Sequence, residues 1–161
     1  VGSGIGALEK RLVYFDVIGI DLSFEMLSEA NRRARAPLVN GDARNLPFRE
    51  RSLQAVVTIA TLEFITEVDQ VLDEIQRVLA PEAQLIALIL NSRSKYVRRN
   101  LKREGSYFQN MVHRDTEALA ERIGQRFEIE TEYFLGIKEE TVFETEAPER
   151  AAILAVRGST Q

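Results

Sequence analysis

Three glycines at alternate positions, Gly2, Gly4 and Gly6, open the chain. Their spacing is the first feature of the sequence that suggests a binding site. Glycine has no Cβ, so a turn built from glycines brings backbone N–H groups close to a ligand without a steric clash. Such a turn usually joins a buried strand to a helix. The sequence therefore predicts a site for a nucleotide-like ligand at the first residues of the chain.

Two acidic residues follow short apolar runs, at points where strands are predicted to end. Asp21 closes the run 17–21, and Asp42 follows the run 38–40. A carboxylate at Asp21 can accept hydrogen bonds from ribose hydroxyls, and one at Asp42 can accept from an adenine amino group. The glycines with Asp21 also fit the nicotinamide-dinucleotide fingerprint, so the first forty residues leave the cofactor class open.

The elements that position these residues alternate between strand and helix in the first half of the chain. The pattern predicts strands over 17–21, 38–40, 53–59 and 84–90 and helices over 6–14, 23–34 and 66–79. The apolar face of the helix over 66–79 consists of Val68, Val71, Leu72, Ile75, Val78 and Leu79. This alternation is typical of an α/β domain with a mostly parallel sheet.

The second half differs in pattern. Helices are predicted over 92–103 and 115–124, strands over 127–137 and 151–157, and an acidic loop over 138–150. No crossover helix separates the last two strands, so they are expected to pair antiparallel at one edge of the sheet. No linker or repeat interrupts the chain, which predicts a single domain over 1–161.

Composition narrows the function classes. The chain has 161 residues, no cysteine and a net charge of −4, which argues against a generally basic nucleic-acid binder and excludes thiolate zinc sites and cysteine nucleophiles. Absence of cysteine fits a reducing, cytoplasmic setting. No apolar run is long enough for a membrane span. We therefore expect no bound metal and no membrane partner.

Three later segments decide between the cofactor classes by their order. Asp42-Ala43 is followed by Leu46-Pro47-Phe48, then by the strand from Ser52 to Val57, and then by the run from Glu74 to Pro81. In this order they resemble the class I S-adenosylmethionine-dependent methyltransferases, and most closely the group of quinone-biosynthesis C-methyltransferases and small-molecule enzymes. The resemblance covers about residues 1–90.

The resemblance implies an α/β fold, a Rossmann-like doubly wound seven-stranded methyltransferase sheet, mostly parallel with an antiparallel C-terminal strand pair. The family's first strand and the helix before it would precede Val1, so the chain is expected to be N-terminally truncated. Gln54 stands where the family usually has Asp, and Glu82-Ala83 where it usually has two glycines. Residues 92–125 are expected to form a helical segment on the substrate side.

The family pattern also implies which residues bind S-adenosylmethionine. The expected cofactor-binding residues are Gly2, Ser3, Gly4, Gly6, Asp21, Leu22, Met26, Asp42, Ala43, Thr58, Ile59 and Ala60. Methyl transfer from a sulfonium needs alignment of the reacting atoms more than proton transfer, so no fixed catalytic triad is expected. Glu63, His113 and Tyr107 are the weak catalytic candidates.

The acceptor is left open by the sequence. A small molecule is the favoured substrate. The alternatives are an RNA or protein acceptor bound through the basic segment 93–103, and a non-catalytic partner subunit with the same fold. A nicotinamide-dependent oxidoreductase is disfavoured by Asp42 with its following loop, and by the missing crossover before the last strand. The oligomeric state is not predicted.

Overall fold

A computed structural model of the chain describes residues 1–12, 14–33, 35–139 and 141–160. The strands are β1 (Gly19–Asp21), β2 (Leu38–Asn40), β3 (Leu53–Ile59), β4 (Leu79–Leu90), β5 (Glu128–Lys138), β6 (Thr141–Phe143) and β7 (Ala151–Ser159). The helices are α1 (Phe24–Ala30), α2 (Val68–Val78), α3 (Lys95–Lys102) and α4 (Thr116–Gly124). Short 3₁₀ helices form at Leu62–Phe64 and Tyr107–Asn110.

The strands form two sheets and not the single, mostly parallel seven-stranded sheet that was predicted. Strands β1 and β2 pair parallel as a sheet of two, and the other five follow the order β3-β4-β7-β5-β6. Within the larger sheet, β3 and β4 are parallel, whereas the pairs β4–β7, β5–β7 and β5–β6 are antiparallel. The predicted antiparallel pairing of the last two long strands is confirmed, but β7 lies between β4 and β5 and not at an edge.

The first three residues join the two sheets. The amino group of Val1 donates a hydrogen bond to the carbonyl of Val57 on β3 at 2.8 Å. The amide of Ser3 donates to the carbonyl of Ile20 on β1 at 3.0 Å. The glycine turn therefore lies between the carboxyl ends of β1 and β3, which is where ligands bind in open α/β sheets.

Helix α2 packs its apolar face against the larger sheet. The predicted face is confirmed, since Val68, Val71, Leu72, Ile75 and Val78 are all fully buried. Leu79 is buried as well, but it begins β4 and does not end the helix. This packing fixes the loop before α2 against the end of β3, because the two elements share one core.

Several predicted boundaries are wrong. Residues 6–11 form successive turns and not a regular helix, although Lys10 donates to the carbonyl of Gly6 at 3.2 Å. Val13 lies outside the described residues. The predicted helix to residue 34 ends at Ala30, and Ala34 is likewise not described. The basic helix begins at Lys95, capped by Ser94. The predicted loop over 138–150, apart from Glu140, contains β6.

The backbone is irregular after Pro81, within β4. Glu82 has φ of 62°, in the left-handed region that favours glycine. The β3–β4 register shifts here, from Leu53 opposite Leu79 to Ala55 opposite Gln84. Glu82 and Ala83 thus lie at an irregularity of the β3–β4 pairing. None of the helices in the described ranges is long and apolar enough to cross a membrane.

Candidate functional site

A cavity of about 730 Å³ opens at the carboxyl ends of β1 and β3, beside the glycine turn. We call it the glycine-turn cavity. Its walls come from the glycine turn, the end of β1, the start of α1, the loop after β2 and the loop after β3. The volume lies within the range of about 300–1,000 Å³ that small-molecule sites occupy.

Most of the residues predicted to bind a cofactor line this cavity. They are Gly2, Gly4, Asp21, Leu22, Met26, Asp42, Ala43, Ile59 and Ala60. Ser3, Gly6 and Thr58 are not among the lining residues. The Ser3 hydroxyl donates to Glu9, the amide of Gly6 donates to the carbonyl of Ser3, and Thr58 is buried within β3. These three residues therefore support the segments that form the cavity walls, without lining the cavity themselves.

The glycine turn needs its glycines for two different reasons. Gly2, Gly4 and Gly6 have φ of 68°, 53° and 73°, which side chains rarely adopt. At Gly2 a Cβ would also lie 2.1 Å from Oγ1 and 2.9 Å from Cβ of Thr61, across the cavity wall. The turn therefore packs directly on the loop after β3.

Asp21 connects the turn to the start of α1. Its Oδ2 accepts a hydrogen bond from the amide of Gly4 at 2.7 Å, and its Oδ1 accepts from the amide of Ser23 at 2.9 Å. Ser23 in turn caps α1 by accepting from the amide of Met26. Each carboxylate oxygen of Asp21 keeps a further lone pair, which a ligand hydroxyl could use.

Asp42 is held by Arg44, which sequence reasoning missed. The Arg44 guanidinium donates to both carboxylate oxygens of Asp42, at 3.0 Å from Nε and 2.7 Å from Nη2. These side-chain hydrogen bonds lower the pKa of Asp42. Arg44 also reaches Glu67, 3.2 Å away, and both residues line the cavity. The only sequence signal was an arginine two positions after the acid.

Two aromatic rings stand together at one side of the cavity. Phe64 and Tyr107 both line it, and their ring centroids are 4.6 Å apart at an interplanar angle of 34°. Tyr107 is 64% exposed, so this pair lies at the cavity mouth. The contact joins the loop after β3 to the segment that follows α3.

Glu63 and His113, the other catalytic candidates, are not among the cavity-lining residues. Glu63 is fully buried, and its Oε1 accepts a short hydrogen bond from the amide of Leu90. Its carbonyl accepts from the amides of Val112 and His113, at 2.9 and 3.0 Å. His113 Nε2 donates to the carbonyl of Ile65 at 2.9 Å, since a carbonyl only accepts. Both residues thus tie the loop after β3 to its neighbours.

We expect Glu63→Gln to change how stability depends on pH. Burial raises the pKa of Glu63 above its ordinary 4.5, against the opposing effect of the hydrogen bond from Leu90, and its Oε2 has no hydrogen-bond partner among the residues that the structure describes. The folded state thus favours the protonated carboxyl. Its stabilising contribution is full below pH 4.5 and is lost as pH rises through the raised folded pKa. The loss is about 1.4 kcal/mol for each unit of pKa difference.

Urea unfolding at a series of pH values measures this effect. The free energy of unfolding of Glu63→Gln, relative to the unchanged chain, should rise with pH, because glutamine does not ionise. Glu104→Gln makes the same chemical change on an exposed residue and should show no such trend. A pH-independent difference for Glu63→Gln would contradict the prediction.

Comparison with known proteins places the chain in a family. The model of the methyltransferase domain family matches residues 1–87, more than half of the sequence. The chain belongs to this methyltransferase domain family. The matched residues include the glycine turn, Asp21, Asp42 and the whole of β3 and α2, so the family match covers the walls of the glycine-turn cavity formed by these elements.

Curated relatives agree with this assignment. The chain is 32% identical over 84 residues to a demethylmenaquinone methyltransferase of Thermotoga maritima, covering 52% of this chain and 37% of that protein. It is 31% identical over 94 residues to a malonyl-[acyl-carrier protein] O-methyltransferase of Xylella fastidiosa, covering 53% and 32%. The chain therefore spans about a third of the length of these relatives.

A solved structure supports the fold over the whole chain. An S-adenosylmethionine-dependent methyltransferase from Thermotoga maritima superposes with a TM-score of 0.84 at 24% identity, covering 100% of this chain and 80% of that one. The methyltransferase domain thus has the fold of this family, with its strands divided between two sheets.

S-adenosylmethionine is the cofactor of the family, and the cavity has the chemistry to hold it. Asp21 and Asp42 offer acceptors for hydroxyl and amino donors, and the wall at Gly2 has no room for a side chain. Leu22 and Met26 supply apolar surface beside them. Within the part of the chain that the structure describes, no three His, Asp or Glu side chains form a metal-ligating group.

Proposed function

We propose that the methyltransferase domain transfers a methyl group from S-adenosylmethionine, bound in the glycine-turn cavity, to a small-molecule acceptor. The observation that carries this proposal is that nine predicted cofactor residues, from four separate chain segments, line one cavity. An apolar pocket with a few convergent polar groups is what a small cofactor needs.

Each wall of the cavity has its own part in binding. Asp21 would accept the ribose hydroxyls, and Leu22 and Met26 would pack on the adenine ring. Asp42 and the backbone of Ala43 would meet the adenine edge. The turn at Gly2 and Gly4 would surround the methionine end, because backbone without side chains approaches the cavity there.

The chemistry asks the protein mainly for alignment. When bound, the cofactor supplies an activated methyl group on its sulfonium. The residues of the chain then have to hold the acceptor in line and to exclude water. Ile59 and Ala60 line the cavity at the end of β3, beside Thr61 and Phe64. Ala60 has φ of 46°, an unusual backbone conformation of the kind that clusters at functional sites.

The acceptor would enter at the aromatic mouth. Phe64 and Tyr107 would pack on an apolar or aromatic acceptor, and the Tyr107 hydroxyl could orient its nucleophilic atom. Residues 92–125 then form the substrate side of a single domain. Glu63 and His113 act by holding the loop after β3, so a catalytic role is proposed only for Tyr107 among the three candidates.

A second candidate function is methylation of RNA or protein through α3. The exposed Lys95, Arg98, Arg99 and Lys102, with Arg103 after them, carry no acidic neighbour on the helix. No ion pair within the described residues involves them, whereas Arg93 is paired with Glu117 and Glu149. The relative named for demethylmenaquinone favours the small-molecule candidate.

Transfer of a tritiated methyl group from S-adenosylmethionine distinguishes these functions. The chain is incubated in parallel with the small-molecule, RNA and protein fractions of a bacterial extract. We expect label in the small-molecule fraction only. Label confined to RNA or protein, and lost in the Arg98→Glu, Arg99→Glu double variant, would favour the second candidate. Cofactor binding without transfer to any fraction would favour a non-catalytic subunit.

A further inference from the structure

Arg44 spans the space between two walls of the glycine-turn cavity. Its guanidinium pairs with Asp42 in the loop after β2 and with Glu67 just before α2. Its carbonyl accepts a hydrogen bond from the Gln70 side chain at 3.1 Å, so the main chain is also held to α2. One residue therefore connects the loop of Asp42 to the helix on the other side of the cavity.

The contacts of Arg44 use most of the acceptor positions on Asp42. Oδ1 accepts from the Arg44 amide at 2.9 Å and from Nε at 3.0 Å, while Oδ2 accepts from Nη2 at 2.7 Å and shares Nε. A carboxylate offers about four lone-pair positions. The bidentate pair fixes the plane of the carboxylate and leaves one acceptor position of Oδ2 for a donor from outside.

Stability does not explain this arrangement. The side chains of Arg44 and Asp42 are 39% and 34% exposed, and ion pairs at such sites contribute little to folding. The same contacts lower the pKa of Asp42 below its ordinary value, but a carboxyl with the ordinary value is already ionised at neutral pH, so what they add is a fixed orientation. Asp42 lines the cavity, and a half-exposed ion pair fixes the plane of its carboxylate. This arrangement is better explained by selection of a ligand than by stabilisation of the fold.

We propose that Arg44 is a positioning residue that makes the cavity selective for a 6-aminopurine, by presenting Asp42 as one oriented hydrogen-bond acceptor. This rests on the proposed binding of S-adenosylmethionine with its adenine at Asp42. An amino group at C6 donates to the oriented Oδ2. A 6-keto group has only acceptor lone pairs to offer there, so it is repelled. Without the Arg44 guanidinium the carboxylate keeps only the hydrogen bond from the amide of residue 44, so its plane is less fixed and it discriminates less.

Calorimetric titration with two matched ligands tests this role. S-adenosylhomocysteine carries the 6-amino group, and S-inosylhomocysteine carries a 6-keto group on the same skeleton. The ratio of their Kd values is measured for the unchanged chain, Arg44→Ala, Arg44→Lys, Asp42→Ala and the Arg44→Ala, Asp42→Ala double variant. Arg49→Ala, an exposed arginine in the same loop, is the matched control.

We expect Arg44→Ala to reduce the preference for S-adenosylhomocysteine about tenfold, as loss of an oriented hydrogen bond to a charged group would. The preference of Arg44→Lys should lie between those of the unchanged chain and Arg44→Ala, because lysine keeps the charge but lacks the planar guanidinium. In the Asp42→Ala background the Arg44 change should have no further effect on the ratio, and Arg49→Ala should leave it unchanged. Thermal unfolding confirms that each variant is folded.

Two other outcomes separate the inference from the proposed function. If the unchanged chain binds S-adenosylhomocysteine but Arg44→Ala keeps the full preference, the positioning role is overturned and the proposed function stands. The same holds if the Arg44 effect persists without Asp42. If the folded chain binds neither ligand, the proposed function fails and the inference fails with it.

Discussion

Replacing Gly2 by alanine is expected to weaken S-adenosylhomocysteine binding about tenfold or more and to destabilise the fold by about 2–4 kcal/mol. A Cβ at Gly2 would lie 2.1 Å from Oγ1, 2.6 Å from Cγ2 and 2.9 Å from Cβ of Thr61. Rotation of the Thr61 side chain cannot relieve a contact that includes its own Cβ. The backbone of the turn or of the loop after β3 must therefore move, and both line the cavity.

Gly105→Ala separates this close contact from simple backbone strain. Gly105 has φ of 70°, close to the 68° of Gly2, but a Cβ there would meet no atom within 4 Å. Gly105→Ala should lower the free energy of unfolding by only the backbone strain, about 1–2 kcal/mol, and should leave the Kd for S-adenosylhomocysteine unchanged. Urea unfolding and calorimetry measure the two effects. Equal losses of affinity in both variants would refute the role given to the Gly2–Thr61 contact.

Glu74→Ala is expected to destabilise the domain by about 2–3 kcal/mol, because it removes the centre of a half-buried polar cluster. Oε2 of Glu74 accepts from the amide of Leu46 at 2.7 Å, and its carboxylate binds Arg77 at 2.7 Å. Arg77 then donates to the carbonyls of Phe48 and Leu46, at 2.9 and 3.0 Å. The variant leaves the Leu46 amide and the Arg77 guanidinium without their carboxylate.

The pH dependence gives this prediction a second readout. Hydrogen bonds from Arg77 lower the pKa of Glu74, so its stabilising contribution is present above pH 4.5 and is lost as pH falls through the depressed folded pKa. The gap in unfolding free energy between the unchanged chain and Glu74→Ala should therefore shrink in acid. Glu50→Ala removes an exposed glutamate 3.5 Å from Arg51 and should change little. A constant gap down to pH 2 would count against the cluster.

The local elements could be predicted from the sequence, because their signals are local. Strand β3 has the predicted bounds, and the apolar spacing from Val68 to Val78 identified the buried face of α2. Ser23 and Asp115, the first residues of two predicted helices, are in the structure the residues that cap them. These features depend on neighbours within a few residues, so a single sequence contains them.

The arrangement of the strands could not be predicted in the same way. Strand β6 has only three residues and pairs with Gly136–Lys138, where a Cβ on Gly136 would collide with the Phe143 ring. A lone glycine in a strand suggests such a close approach but does not say to what. The division into two sheets depends on pairings between distant segments, which periodicity does not show.

In the candidate site too, individual residues could be predicted from the sequence, whereas contacts between distant segments could not. Motif order suggested Asp21 and Asp42, and the structure brings both to one cavity. The order of Leu46-Pro47-Phe48 and Glu74–Pro81 along the chain supported the resemblance but predicted no contact between them. In the structure Glu74 and Arg77 bind the loop at Leu46 and Phe48 directly. Arg44 and Glu67 were missed, because nothing in the sequence relates two charges that are distant along the chain.

Titration of S-adenosylhomocysteine into the unchanged chain and into Asp21→Ala tests the central claim most directly. We predict saturable binding at one site, weakened about a hundredfold in Asp21→Ala, because the ribose hydroxyls lose a charged acceptor. Asp21→Asn, which keeps the shape of the side chain, should show a smaller loss. Absence of binding by the folded chain, or equal binding by all three proteins, would contradict the assignment of this cavity to the cofactor.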